Sequence, residues 1–276
     1  MIKGMETKSV KVGQHDIVYS HRQSDGPTLV FVHGITTYRF IWRNLIPFFP
    51  ENYNIIALDL LGCGDSAKPL DASFSIKAHA HRLREFFDNL GIEKLHLTGH
   101  DVGGGVVQIF AVHHPEMLQT LTLINSVGYD FWPVQPIIAM RTPIIRQMAM
   151  ATLDLGMLRA IVARGIHHQE KLTDELMAHF SQPMSTSVGR KAFLHFAKCL
   201  NNKDLLEIES DIKQMKIPTL IIRGAKDPYL SEKIAHRLHL DISGSDLVIL
   251  EKGSHFIQED LPQELAGLIT AKIQIV

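Results

Sequence analysis

The chain has 276 residues, of which 45% are apolar and 21% charged, with a formal net charge of −1. That length can bury a substantial core in one large domain, or in a core with one insertion. The even charge balance argues against nucleic acid, an anionic membrane surface or a polyanionic substrate as partner.

Met1-Ile2-Lys3-Gly4 leads into polar residues without the apolar segment of a signal peptide, and no apolar run approaches the roughly 18 residues of a membrane span. The two cysteines, Cys63 and Cys199, make neither a metal spacing nor a disulfide framework. A soluble cytoplasmic protein is the expectation. Residues 8–12 and 16–20 flank a Gly13-Gln14-His15 turn and predict a hairpin. Residues 28–32 and 54–58 are unbroken apolar runs, the pattern of strands buried on both faces of a parallel sheet. Between them, residues 42–47 predict a short crossover helix. Residues 76–90 predict an amphipathic helix with Ser73 or Ser75 as its cap and Gly91 as its stop. Strands follow at 95–98 and 121–124, then at 219–222 and 247–250, with helices at 232–240 and 261–273. This alternation predicts an α/β fold, a mostly parallel, doubly wound sheet with right-handed crossovers.

The interval from 128 to 206 has no convincing strand. Its pattern is helical, broken by Pro133, Pro136, Pro143 and Pro183, and it carries Met140, Met148, Met150, Met157, Met177 and Met184. The expected division is a core of residues 1–127 and 207–276 with an inserted helical cap, 128–206. Such a cap would lie over the strand ends where open α/β folds bind ligands. Its methionines suit an adaptable apolar pocket, although filling gaps between packed helices also explains them.

Three residues stand at the ends of predicted strands in the order nucleophile, acid, histidine. Asp101 lies in "LTGHDVGGG", between Gly99 and Gly103, where a Gly-x-Ser-x-Gly elbow carries serine. Asp227 follows a strand in "RGAKDPYL", and His255 follows another in "EKGSHFIQEDLP". "FVHGITTY" places His33-Gly34 after a buried strand, so the backbone N–H groups of Ile35 and Val102 are candidates for an oxyanion hole, with His33 architectural. "LDLLGCGDSAKP" reads as a Gly-rich turn closed by Asp59 and Asp65.

His33-Gly34, residues 59–69, the Gly99 to Gly103 elbow and "HFIQED" together resemble the α/β-hydrolase superfamily, specifically its haloalkane dehalogenase and epoxide hydrolase branch. The resemblance covers roughly residues 8–127 and 207–276 and weakens in between. It implies an α/β-hydrolase fold with a capped pocket for a small-molecule substrate, and no metal or other cofactor. Asn125, just past the strand before the insertion, matches dehalogenases whose acid follows a later strand, which supports Asp227 as the acid.

The aspartate has a chemical rationale. Serine attacking saturated carbon would leave an ether that water does not readily cleave, whereas a carboxylate leaves an ester that water hydrolyses. Asp101 would attack, His255 would activate water, and Asp227 would orient the imidazole. The leaving-group apparatus departs from the family. Val102 stands where dehalogenases carry tryptophan, Ile35 where an asparagine is usual, and Thr36 where epoxide hydrolases have proline. Thr36, Asn125, Tyr129 and Trp132 are the candidate pocket residues, and Trp42 is expected to pack in the core. A dehalogenase-like hydrolase is the leading expectation, an epoxide hydrolase the alternative, and a non-catalytic ligand-binding protein of the same fold the third. Nucleotide binding is disfavoured because the Gly-x-Gly-x-x-Gly spacing is absent.

Overall fold

The computed structural model describes residues 2–130 and 156–275. One sheet contains β1 (Glu6–Val12), β2 (His15–Arg22), β3 (Thr28–Val32), β4 (Asn54–Leu58), β5 (Leu95–Asp101), β6 (Leu118–Ser126), β7 (Thr219–Gly224) and β8 (Asp246–Leu250). Their order is β1-β2-β4-β3-β5-β6-β7-β8. β1 pairs antiparallel with β2 through a turn at Gly13, whose φ of +58° suits glycine. β2 pairs antiparallel with β4, and every later pair is parallel. The sheet is therefore the mostly parallel α/β arrangement expected from the alternating pattern.

Burial along the strands explains their composition. β3, β5 and β7 are buried almost throughout, so even the polar face of β5, His96, Thr98 and His100, is kept from water, whereas β1 at the sheet edge alternates. Helix α1 (Ile76–Asn89) starts at Ser75, whose hydroxyl accepts the N–H of Ala78 at 3.1 Å, and buries Ile76, His79, Ala80, Leu83, Phe86 and Phe87 along one stripe. Helix α2 (Val102–His113) follows β5 without an intervening residue and is buried from Val102 to Ala111, so it lies sandwiched between α1 and the sheet.

The helix expected at 42–47 is instead two 3-10 turns, Arg39–Trp42 and Ile46–Phe48. Pro47 has no N–H to donate to the carbonyl of Arg43, so an α-helix cannot run through that position. Between β6 and β7 the described residues contain helices and no strand. They include α3 (Leu158–Arg164), α4 (Asp174–Ser181) and α5 (Ser187–Cys199), the last two capped by the hydroxyls of Thr173 and Thr186. Later helices are α6 (Lys203–Leu206), α7 (Glu209–Ile212), α8 (Glu232–Asp241), α9 (Ile257–Asp260) and α10 (Pro262–Gln274). No helix among the described residues is long and apolar enough to cross a membrane.

Candidate active site

The turn from β5 into α2 puts Asp101 at φ 53°, ψ −121°, a conformation that costs an L-residue on the order of 1–3 kcal/mol. Close packing around the turn enforces it. A Cβ on Gly103 would lie 2.4 Å from the carbonyl oxygens of Val32 and His33, and one on Gly99 2.5 Å from the carbonyl of Gly103. Gly34 is needed for the same reason, since its Cβ would lie 2.4 Å from Asp101 Oδ2. The Asp101 carboxylate consequently aims at the β3 loop, where Oδ2 accepts the N–H of Ile35 at 3.1 Å. The backbone N–H of Val102 also favours the charged form of the carboxylate.

His255 and Asp227 sit beside it on the loops after β8 and β7. His255 Nδ1 donates to Asp227 Oδ2 at 3.1 Å, which leaves Nε2 as the basic nitrogen of the neutral ring. Asp227 Oδ1 accepts the N–H groups of Tyr229 (2.8 Å) and Leu230 (3.2 Å), and Arg223 Nη1 lies 3.4 Å from Oδ2. Burial alone would raise the Asp227 pKa, but the charge and hydrogen bond of His255, the Tyr229 N–H and Arg223 outweigh it and hold the carboxyl below its ordinary value. Burial pulls His255 down, while the charge and hydrogen bond of Asp227, and then the charge of Asp101, bring it above the ordinary histidine value. Asp101 itself is raised, chiefly by burial. The pattern is a buried acid–base pair facing a second, partly destabilised carboxylate.

The expected pocket residues separate. Thr36, half-buried, borders a small cavity with Cys63, Met184, Phe193 and Phe196, between the β3 loop and the insertion. Asn125 is buried at φ 38°, with its amide committed to backbone: Nδ2 donates to the carbonyls of Ser254 (2.8 Å) and His255 (2.9 Å), and Oδ1 accepts from Gly224 N–H (2.9 Å). The Tyr129 hydroxyl donates to Asp241 Oδ2 at 2.9 Å on α8, beneath the guanidinium of Arg237. Trp132 lies outside the described residues. Trp42 packs on Phe31 with no exposed surface, and His33 is architectural: its Nδ1 donates to Gly34 O, its Nε2 accepts from Leu60 N–H, and burial lowers its pKa to about 4.

Sequence reasoning attached no role to Arg39, His100 or Asp260. Arg39 pairs with buried Asp59 and, at 2.6 Å, with Asp65, so the Gly-rich turn is closed around a guanidinium. Asp260, in the acidic run after His255, accepts the N–H groups of Ser254 (2.8 Å), His167 (2.9 Å) and His168 (2.9 Å). Phe256 N–H donates to Gly165 O at 2.8 Å, Tyr229 Oη to Ile161 O at 2.5 Å, and Lys171 Nζ to the carbonyls of Glu259 and Asp260. Residues 161–171 of the insertion are thereby fastened to the loops that carry Asp227 and His255.

A family model described as the alpha/beta hydrolase fold matches residues 27–262. Monoacylglycerol lipase abhd6-B of Xenopus laevis is 27% identical over 97% of the chain and 82% of its own length. Haloalkane dehalogenase 2 of Mycobacterium tuberculosis is 28% identical, covering 90% of the chain and 88% of that protein. Epoxide hydrolase 4 of Mus musculus is 27% identical, covering 89% and 72% respectively.

Proposed function

The chain belongs to the alpha/beta hydrolase fold family, and from that premise we propose that it hydrolyses a small, largely apolar electrophile at saturated carbon through an ester on Asp101, with a haloalkane as the leading substrate class. One observation carries the reading. In a serine hydrolase the oxyanion-hole donors await the substrate's carbonyl oxygen, whereas here Oδ2 of Asp101 already accepts the Ile35 N–H at 3.1 Å. Oδ1 is then the attacking atom. It forms a C–O bond as the leaving group departs with the bonding pair.

In the second half of the reaction, His255 Nε2 takes a proton from water and the resulting hydroxide adds to Cγ of Asp101. Negative charge develops on Oδ2, which already accepts the Ile35 N–H, while the Val102 N–H also favours charge on this carboxyl group. Collapse breaks the Cγ–Oδ1 bond, and His255 returns its proton to the departing alkoxide. Asp227 fixes the ring and stabilises the imidazolium. Met184, Phe193 and Phe196 put apolar side chains beside Ile35 and Thr36, which suits an apolar substrate better than a charged one.

Epoxide opening is the second reading, favoured by one observation. Ile35 and Val102 offer no side-chain N–H for a free halide, while an opening epoxide oxygen stays attached to the substrate and needs only a proton. A non-catalytic binding protein fits less well, because it has no use for a buried, fully hydrogen-bonded Asp227–His255 pair.

Turnover of short haloalkanes and epoxides in heavy-oxygen water tests the reading. The label is expected in the peptide containing Asp101, and the product of a single turnover is expected to carry ordinary oxygen. An unlabelled Asp101 after many turnovers would refute the ester.

The pKa directions give a further expectation. Ester formation needs ionised Asp101, whose burial raises its pKa, so that step should fail as pH drops at a value above the ordinary carboxylate pKa of about 3.9. Once alkylated, Asp101 is neutral and its charge no longer raises His255. Ester hydrolysis should therefore lose rate on acidification at a lower pH than the pKa that NMR titration gives for His255 in the free enzyme. Equal values from stopped-flow kinetics and NMR would contradict this coupling.

A further inference from the structure

The residue immediately before Asp101 is a histidine held far from solvent. His100 Nε2 lies 2.9 Å from the carbonyl oxygen of His255. A carbonyl only accepts, so Nε2 carries the hydrogen. Asn125 Nδ2, at the end of the neighbouring strand, donates to the same oxygen at 2.9 Å. Two side chains rooted in β5 and β6 thus grip one backbone atom of the residue that activates water. Burial lowers the His100 pKa to about 3, so the ring stays neutral and in this tautomer at working pH. Its Nδ1 is then an acceptor, buried and without a partner among the described residues. Trp42, edge-to-face with His100 at 6.4 Å between ring centroids, holds a buried Nε1–H donor equally without a partner there.

We propose that His100 is a positioning residue: through its hydrogen bond to the His255 carbonyl it sets the separation between nucleophile and base, being covalently next to the first and bonded to the second. The inference rests on the reaction proposed above for its kinetic consequence, and on geometry alone for its structural one. Without that bond the His255 carbonyl is held by Asn125 alone, and the imidazole drifts relative to both Asp227 and the ester carbon. Displacements near 1 Å cost catalysis on the order of 100-fold.

The test compares His100→Leu, which lacks the donor, with His100→Gln, whose amide N–H reaches a similar position. In the leucine variant, ester hydrolysis is expected to slow about 10- to 100-fold more than ester formation. By NMR of histidine-labelled protein, its His255 pKa should fall below the wild-type value as the Asp227 contact loosens. The glutamine variant is expected to restore both. His100→Asn, polar but too short to reach, should behave as leucine does and replaces it if the leucine variant does not fold. A wild-type His255 titration in the variants without a reaching donor, or a glutamine variant as impaired as they are, would overturn the proposal. The titration needs no turnover, so it remains decisive even if no ester forms on Asp101.

Discussion

Given a substrate, the His255→Gln variant is expected to form the ester once and then stop. Steady-state turnover should fall by about 10²–10⁴-fold, the usual worth of general-base assistance, while the burst of first product from the leaving-group side persists. Intact-mass measurement should show an adduct that maps to Asp101. A haloalkane adduct carries the alkyl group without its halogen, whereas an epoxide adduct carries the whole epoxide, so the same experiment separates the two readings. A folded variant with no adduct from either class would refute ester formation at Asp101. Unimpaired turnover would remove His255 from the hydrolytic step.

The second large effect concerns stability. Arg39→Met leaves Asp59, fully buried, without its guanidinium partner. Breaking one side of a buried ion pair costs about 3–5 kcal/mol. The loss should depend on pH in a defined direction. Burial raises Asp59 to about 6 even with Arg39 lowering it, against an unfolded value near 3.9. Between those values the native state holds the proton more tightly than the unfolded chain, so this group's contribution to stability declines as pH rises through the window. Removing Arg39 raises the native pKa further and carries the decline to higher pH. Thermal melts should show a gap between wild type and variant that widens from pH 6 to pH 8 and narrows on acidification. A gap independent of pH would mean that Arg39 matters through packing alone.

Much of the candidate site is legible in the sequence because Asp101 ends a strand, Asp227 and His255 follow two others, and in a parallel sheet the strand ends share an edge. Local patterns of a few residues therefore encode a three-dimensional cluster. Asn125 and Tyr129 show where that stops. Asn125 bonds Gly224, Ser254 and His255, and Tyr129 bonds Asp241 over a hundred residues away, so no window of sequence contains the partners that consume their polar atoms. Arg39 was invisible for the same reason. Asp59 and Asp65 announced a closed turn, yet the cation at its centre arrives from before β4. The misjudged helix at 42–47 is a different failure, since apolar content outweighed the single missing N–H of Pro47.

The fastening of residues 161–171 has a consequence for which substitutions can loosen it. On the insertion side, most of the anchoring atoms are main-chain: the carbonyls of Ile161 and Gly165 and the N–H groups of His167 and His168. The sequence-specific partners, Tyr229 and Asp260, belong to the core. Replacing side chains along this stretch, other than Lys171, leaves its main-chain moorings in place, whereas loss of Tyr229 releases one of them and loss of Asp260 two at once. The order of residues 161–171 is thus written mainly in Tyr229 and Asp260, outside the stretch itself.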